Sequence, residues 1–294
     1  MKNKDFTVFI LTHGRPDNVI TYKTLNRQGY TGKIYIIIDN EDKTADKYYE
    51  NFGDKVIMFD KKAIAKTFDE ADNFNDRRAI VYARNACFDI AKDLGITYFI
   101  QLDDDYTSFQ YSINANSNYI TSDTRIMNID CHIDALLNFY KTTPIKTIAI
   151  GQGGDFIGGQ YSSLFKVQLK RKAMNSFICS TTRPFKFVGR INEDVNTYVN
   201  KGSVGDLFVT THMLRLEQKQ TQTNTGGMSD IYLDKGTYIK SFYTVLFSPS
   251  CCKIALMGEI NQRLHHRISW KNAVPVILNE KHKKGNYEHR TTKR

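Results

Sequence analysis

No stretch of this 294-residue chain reaches the roughly 18 consecutive apolar residues that a membrane-crossing helix needs, so the sequence offers no membrane partner. Its five cysteines (Cys87, Cys131, Cys179, Cys251, Cys252) show no CxxC spacing, and the adjacent pair can neither bridge easily to itself nor form half of a zinc site. Reduced thiols in a cytosol are the expectation. The opening MKNKDFTVFILTHGRP sets lysines before an apolar stretch, yet that stretch is short, ends in a His-Gly-Arg-Pro turn and lacks a small-residue cleavage site. It reads as the first strand of a cytoplasmic protein. Internal repeats are missing too. GQGGDFIGGQ (151–160) is glycine-rich without the Gly-Lys-Ser/Thr ending of a phosphate loop, which leaves a mobile surface loop as its reading.

Acidic residues are in short supply: 31 Asp and Glu face 41 Lys and Arg, for a formal net charge of +10. Such a surplus raises the local concentration of polyanions and admits nucleic acid, nucleotides or anionic surfaces as partners. With 41% hydrophobic and 24% charged residues, disordered and fibrous classes are excluded.

FTVFILT (6–12), KIYIIID (33–39) and KVIMF (55–59) are β-branched and aromatic runs bounded by turn residues, and predict strands. DNVITYKTLNRQGY and TADKYYENFG between them predict helices. The clearest helix is RRAIVYARNACFDIAKDLG, with Ile80, Ala83, Cys87, Ile90, Ala91 and Leu94 at steps of three and four and Gly95 as its stop. It leads into a strand, TYFIQL. This alternation predicts an α/β fold with a mostly parallel sheet, whose ligands sit beyond the carboxyl ends of the strands. Residues 107–127 read as a polar loop, 130–141 as an amphipathic segment, and KTIAIG (146–151) as a strand. RINEDVNTYVNKG predicts a helix capped by Asn192, with Glu193 and Asp194 in its first turn and Gly202 as stop. DLFVTTHMLRLEQKQ is strand or short helix, TQTNTGGMSD (221–230) a loop, and TYIKSFYTVLFS (237–248) and CCKIALMG (251–258) further strands.

YFIQLDDDY then poses a problem of charge. Asp103, Asp104 and Asp105 follow one another at the end of a buried strand, where neighbouring carboxylates repel and drive protons onto one another. A bound divalent cation resolves the conflict.

The order of TVFILTHGRP, IYIIIDNEDKTAD, YARNACFDIAKDLG, YFIQLDDDY and INEDVNTY resembles that of the motifs in glycosyltransferases of the GT-A fold, over roughly residues 5–200. The resemblance implies a GT-A type, Rossmann-like sheet with helices on both faces. It also implies a nucleotide-sugar donor, a UDP-sugar by expectation, and Mn²⁺ or Mg²⁺ on its diphosphate. Thr12 and Arg15 in the first loop and Asp39 after the second strand would hold the nucleotide, although Asp39 equally suits an Asx turn. The DXD motif assigns Asp105 as direct metal ligand and Asp103 to ribose or metal, with Asp104 beside them. Arg84 would reach the diphosphate, unless it is a surface arginine. Asp194 or Glu193 would take the acceptor's proton, unless both merely compensate a helix dipole. A histidine near the C-terminus, His265 or His266, would complete the metal shell, unless it is structural.

TGGMSD, PSCCKI and HHRISW, with the basic balance, are further similar to the phage TET-associated glycosyltransferases, which act on hydroxymethylated pyrimidines in DNA. That likeness implies DNA carrying hydroxymethylated bases as acceptor, with KVQLKRK (166–172) and the basic tail as phosphate contacts. Other readings remain open: a protein, polysaccharide or small-molecule acceptor; a non-catalytic nucleic-acid-binding protein; a metal-dependent nuclease, whose usual lysine-bearing carboxylate motif is not evident. The expected division is a catalytic core over 1–200, an acceptor-side extension over 201–280 and a basic tail over 281–294.

Overall fold

The computed structural model describes residues 4–72, 74–121, 123–156, 159–161, 169–170, 172–218, 238–258 and 262–274. Its centre is a sheet in which β3 (Val56–Phe59), β2 (Lys33–Asp39), β1 (Phe6–Leu11), β4 (Tyr98–Asp103), β8 (Ser176–Ser180), β6 (Thr147–Gln152), β9 (Phe208–Gln218) and β5 (Tyr106–Tyr111) lie in that order. β7 (Leu169–Lys170) pairs with β9. The strands β3-β2-β1-β4 are mutually parallel, as are β6 and β9, while β8 runs antiparallel to β4 and β6, and β5 antiparallel to β9. Leu11 pairs with both Ile37 and Asp103, so the carboxyl ends of β1, β2 and β4 finish at one edge.

Both faces of the parallel strands are covered, which is why β1 is buried at all six positions and reads as a continuous apolar run. Phe6, Val8 and Ile10 pack on one side with Leu25 of α1 (Ile20–Arg27), Tyr48 of α2 (Ala45–Phe52) and Leu137 of α5 (Ile129–Thr142). Phe9 and Leu11 pack on the other with Cys87 of α4 (Val81–Asp93), Val195 of α6 (Glu193–Ser203) and Ile64 of α3 (Lys61–Ala65). Beyond the sheet, α7 (Ile239–Phe247) and an antiparallel ribbon of β10 (Cys252–Met257) and β11 (Arg263–Ile268) are followed by α8 (Trp270–Ala273). Asn192 donates to Thr244 Oγ1 at 2.7 Å, and Thr244 Oγ1 donates to Asn196 Oδ1 at 2.7 Å, docking α7 on α6.

Several local expectations change. Within 107–127, residues up to Tyr111 form β5, because the Gln28 side chain bonds the Phe109 amide and carbonyl while β9 supplies the ladder. Residues 239–247 are helix, not strand: aromatic and β-branched content suggests a strand, but the segment packs on α6 and across the β10–β11 ribbon. In DLFVTTHMLRLEQKQ, Phe208–Gln218 is strand rather than helix, and this β9 lies inside the sheet between β6 and β5. In α4 the buried face includes Val81, Tyr82, Arg84, Asn85, Cys87 and Phe88, whereas Leu94 is exposed. Asn192 adopts a left-handed φ of 62° and makes no side-chain cap. Gly202 is no stop but a point of close approach, where a Cβ would sit 2.4 Å from the Ala273 carbonyl oxygen. Asp155 and Phe156 are buried, so that part of 151–160 is not a surface loop. The TGGMSD loop, the tail 281–294 and most of KVQLKRK lie outside the described residues.

Candidate active site at the carboxyl edge of the sheet

The three aspartates divide between neighbours. Asp103 ends β4, and its Oδ1 accepts from Arg84 NH2 at 3.0 Å. Asp104, in the turn that follows, accepts from Thr12 Oγ1 at 2.6 Å and lies 3.3 Å from Arg15 NH1. Because Thr12 spends its only proton on Asp104, Tyr48 must donate across the 2.8 Å contact to Thr12 Oγ1, while the Arg15 amide donates to the Tyr48 oxygen at 2.8 Å. The loop after β1 is thus bound to the aspartate turn through one hydroxyl relay. Burial pushes the Tyr48 phenol up to about 12, so it stays a donor. The turn is fixed from beneath as well: Thr21 donates its backbone N–H to Asp104 O at 3.0 Å and its hydroxyl to Asp103 O at 2.5 Å.

Arg84 is no surface arginine. It is 1% exposed, its Nε donates to Glu193 Oε1 at 3.0 Å, and its NH1 has no hydrogen-bond partner among the described residues. Glu193 therefore faces the aspartates from the start of α6, and Asp194 beside it accepts from the Val195 amide at 2.8 Å. Two guanidiniums, Arg84 and Arg15, accompany five carboxylates: Asp103, Asp104, Asp105, Glu193 and Asp194. Burial, then the charges of Asp105, Glu193 and Asp104, raise Asp103 to about 7 against the pull of Arg84. Asp104 rises to about 6, mainly by burial, and Asp194 to about 6 by burial and Glu193.

Asp39 sits at the end of β2, where its Oδ2 meets His13 Nδ1 at 2.8 Å and Lys61 Nζ at 3.2 Å and its Oδ1 accepts from the Glu41 amide at 3.1 Å. That last contact is the Asx turn foreseen as the alternative, and it leaves Asp39 at the same edge as Thr12. Asp42 receives the Gly14 amide at 2.7 Å. His13, Tyr48, Asp42, Lys61 and Thr21 had not been singled out in the sequence. For Asp42 the available signal is its place in the polar run DNEDKTAD that begins at the end of β2.

No aspartate is among the groups that act on His265 and His266. Among the described residues no group of three His, Cys, Asp or Glu placed to hold a metal assembles, at the aspartate turn or on the ribbon, so a metal at the turn would draw one or two protein carboxylates. The two histidines lie on β11 among cations. Burial and the neighbours His265, Lys240 and Lys172 press His266 down to about 3. Lys172, foreseen as a phosphate contact, is nearly buried in an ion pair with Asp155 and does not face solvent. Lys240 on α7 feels Asp194 on one side and Arg263 on the other, which puts the ribbon beside the Glu193-Asp194 end of the site.

Oxygen donors suit a hard cation that keeps one or two protein carboxylates and takes phosphate and water for the rest, and Asp103 and Asp105 fit that description without a histidine. Excess buried negative charge is what such an ion would relieve.

No curated protein matches the chain. Solved structures similar to it include glucosyl-3-phosphoglycerate synthase from Mycobacterium tuberculosis with Mg²⁺ and UDP, at 7% identity and a TM-score of 0.44, covering 90% of this chain and 87% of that one. The same synthase with Mn²⁺, UDP and phosphoglyceric acid gives 7% identity and 0.42, covering 92% and 88%. A mycobacterial protein gives 8% and 0.44, covering 90% and 83%. The sequence itself is more specific, since the model of the TET-associated glycosyltransferase family matches residues 6–227, three quarters of the length. The chain belongs to that family and is a glycosyltransferase.

Proposed function

We propose that this enzyme moves a sugar from a UDP-sugar to a hydroxymethylated pyrimidine in DNA, with Mn²⁺ or Mg²⁺ as cofactor. The observation that carries the metal reading is the crowding of Asp103, Asp104 and Asp105 with Glu193 at the edge where β1, β2 and β4 end, where Arg84 pairs with Asp103 and Glu193 and Arg15 with Asp104. A hard cation there neutralises charge on the departing nucleoside diphosphate. Thr12, Arg15 and Asp39 line the nucleotide side, and Asp103 faces ribose or metal while Asp105 ligates. Arg84 holds Asp103 and Glu193 in place rather than reaching the diphosphate through an open cleft. Asp194, raised to about 6 and next to Lys240, is the group to accept the proton from the acceptor hydroxyl. The net charge of +10 supports a polyanionic acceptor. A 5-hydroxymethyl group projects into the major groove, so the chemistry does not require the base to leave the duplex.

The test is a transfer assay on DNA containing 5-hydroxymethylcytosine with a panel of UDP-sugars, Mn²⁺ present or chelated, read by mass spectrometry of the digested nucleosides. A sugar mass on the modified base is expected, vanishing with chelator. Asp105→Asn should lower the rate roughly 10³–10⁴-fold, since a metal supplies several kcal/mol of transition-state stabilisation and each ~1.4 kcal/mol is tenfold. UDP release without mass on the base would mean a different acceptor. Transfer that survives chelation would overturn the metal.

A further inference from the structure

The segment Tyr238–Val274 is charged in the opposite sense to the site it adjoins. It carries Lys240, Lys253, Arg263, Arg267 and Lys271 with His265 and His266, against a single acid, Glu259. On the ribbon, Lys253 lies directly opposite Arg267 and Met257 opposite Arg263. Directly opposed residues of an antiparallel pair share a face, as do every second residue along each strand, so Lys253, Arg263 and Arg267 stand on one side with Ala255, Met257 and His265. The other side holds the buried Cys252 and Ile268, which packs on the core, with Ile254 and His266 and, at the far end of the ribbon, the exposed Leu256 and Leu264. Lys253, Arg263 and Arg267 are exposed and make no ion pair among the described residues. Like charges directly opposite each other destabilise a ribbon. Among the described residues no acidic side chain pairs with them to offset that cost.

The ribbon is tied to the helix that carries the proposed proton acceptor. Trp270, two residues beyond β11, stacks on Tyr198 of α6 at 5.9 Å and 12° between planes, the Ser269 amide donates to Cys251 O at 2.8 Å, and Ala273 closes on Gly202. Six residues per strand at about 3.3 Å each give a face about 20 Å long, or roughly six steps of a DNA strand at 3.4 Å.

We infer that the outer face of the β10–β11 ribbon binds the sugar-phosphate backbone of the acceptor DNA next to the target base, through Lys253, Arg263 and Arg267. This rests on the DNA-acceptor reading above. The phosphates would cancel the Lys253–Arg267 repulsion. The anchoring of the ribbon to α6 would hold the strand at a fixed offset from Asp194. A two-stranded ribbon is also narrow enough to enter a major groove, where the hydroxymethyl group lies.

The test compares wild type with the triple variant Lys253→Gln, Arg263→Gln, Arg267→Gln. Binding to a labelled 20-base-pair duplex containing 5-hydroxymethylcytosine, and to its single strand, is followed by fluorescence anisotropy across a KCl series, with UDP-sugar hydrolysis measured on the same preparations. The triple variant should bind at least about tenfold more weakly and lose about 2–3 from the slope of log K against log salt, close to 0.9 per lost duplex contact or 0.7 per single-strand contact. Donor hydrolysis should be unchanged, and the charge-keeping exchange Lys253→Arg with Arg267→Lys should retain the wild-type slope. Equal slopes and affinities for wild type and triple variant would overturn the inference while leaving DNA as acceptor. Wild type that binds no DNA at low salt, yet hydrolyses the donor, would overturn the inference and the DNA acceptor together. DNA binding through the ribbon with no sugar on the base in the transfer assay would overturn the DNA acceptor, and with it the placement of the bound strand beside a target base.

Discussion

The carboxyl edge of the sheet and the β10–β11 ribbon handle charge in opposite ways. At the edge, Asp103, Asp104, Asp39 and Glu193 are tied through Arg84, Arg15, Thr12 and Lys61, so these charges are also part of the fold. On the ribbon, Lys253, Arg263 and Arg267 stand in solvent with no ion pair among the described residues, and the fold does not use them. Stability and binding are therefore coupled at the first region and separable at the second. The first has the charge that a small cation relieves, the second the charge that a polyanion relieves.

The largest expected effect tests that coupling directly. Arg84→Met removes the one cation shared by Asp103 and Glu193 and leaves both carboxylates uncompensated, a loss of about 3–5 kcal/mol by the usual cost of breaking a buried pair. Arg267→Gln on the ribbon should stay within about 0.5 kcal/mol of wild type, as exposed unpaired side chains do. Denaturant unfolding of both variants measures the contrast. Similar stabilities for the two would dissolve it.

Asp194→Asn comes next. It keeps the side chain's shape, so donor affinity and DNA binding should hold while kcat falls about 10²–10³-fold, the range for loss of a general base. Separate determination of kcat and KM decides the matter. A rise in KM at constant kcat would make Asp194 a binding group and move the proton acceptor elsewhere, with Glu193 next in line.

How much of this could be read beforehand differed between the same two regions. The edge was legible because its strands are buried on both faces and its carboxylates fall at strand ends, both of which leave local patterns: YFIQL followed by DDD carries the fold and the charge problem together. What stayed hidden there were the partners. Tyr48, Thr21 and Lys61 meet Thr12, Asp103 and Asp39 only through tertiary contacts, and no spacing announces them. Arg84 read equally as a surface residue because nothing local distinguishes a buried arginine until Asp103 and Glu193 are folded onto it. Around the ribbon, local pattern misled. IKSFYTVLF has strand composition, yet becomes a helix because it must cover α6, and the His265-His266 pair suggested metal where its neighbours prove to be Lys240, Lys172 and Arg263.

The joint between the regions offers a smaller test. Arg190 is 1% exposed and its NH2 lies 2.8 Å from Asp72 and 3.1 Å from the Tyr243 oxygen, while Tyr243 donates to Asp72. The triad joins the segment before α4 to α7, and so the sheet edge to the ribbon. Tyr243→Phe should cost about 1 kcal/mol, the net worth of such a bond, and lower Tm by about 2 °C. A thermal melt measures it. If the ribbon is held at its offset by this joint, transfer to DNA should drop further than donor hydrolysis, whereas equal drops would leave the joint purely structural.

The smallest effect also separates the two regions, because burial raises Asp103 at the edge to about 7 while it lowers His265 and His266 on the ribbon. Asp103 rises to about 7 in the folded protein from an ordinary value of 3.8, so between about pH 4 and pH 7 the native state holds a proton that the unfolded state has released. Asp103 then contributes stability that falls with rising pH through that window, against the opposite contribution of His266, which is lowered to about 3; the difference between wild type and Asp103→Asn isolates the Asp103 part. A cation competes with the same proton, so its stabilising effect is present above about pH 7 and lost as the pH drops below it. At a Mn²⁺ concentration equal to the dissociation constant the gain is only about 0.4 kcal/mol, but it should appear at pH 8, shrink at pH 5.5, and lose this pH dependence in Asp103→Asn. Melts with and without Mn²⁺ at the two pH values give the result. A Mn²⁺ effect of the same size at both would mean that the ion binds away from Asp103, and the contrast between a cation-seeking edge and an anion-seeking ribbon would lose its first half.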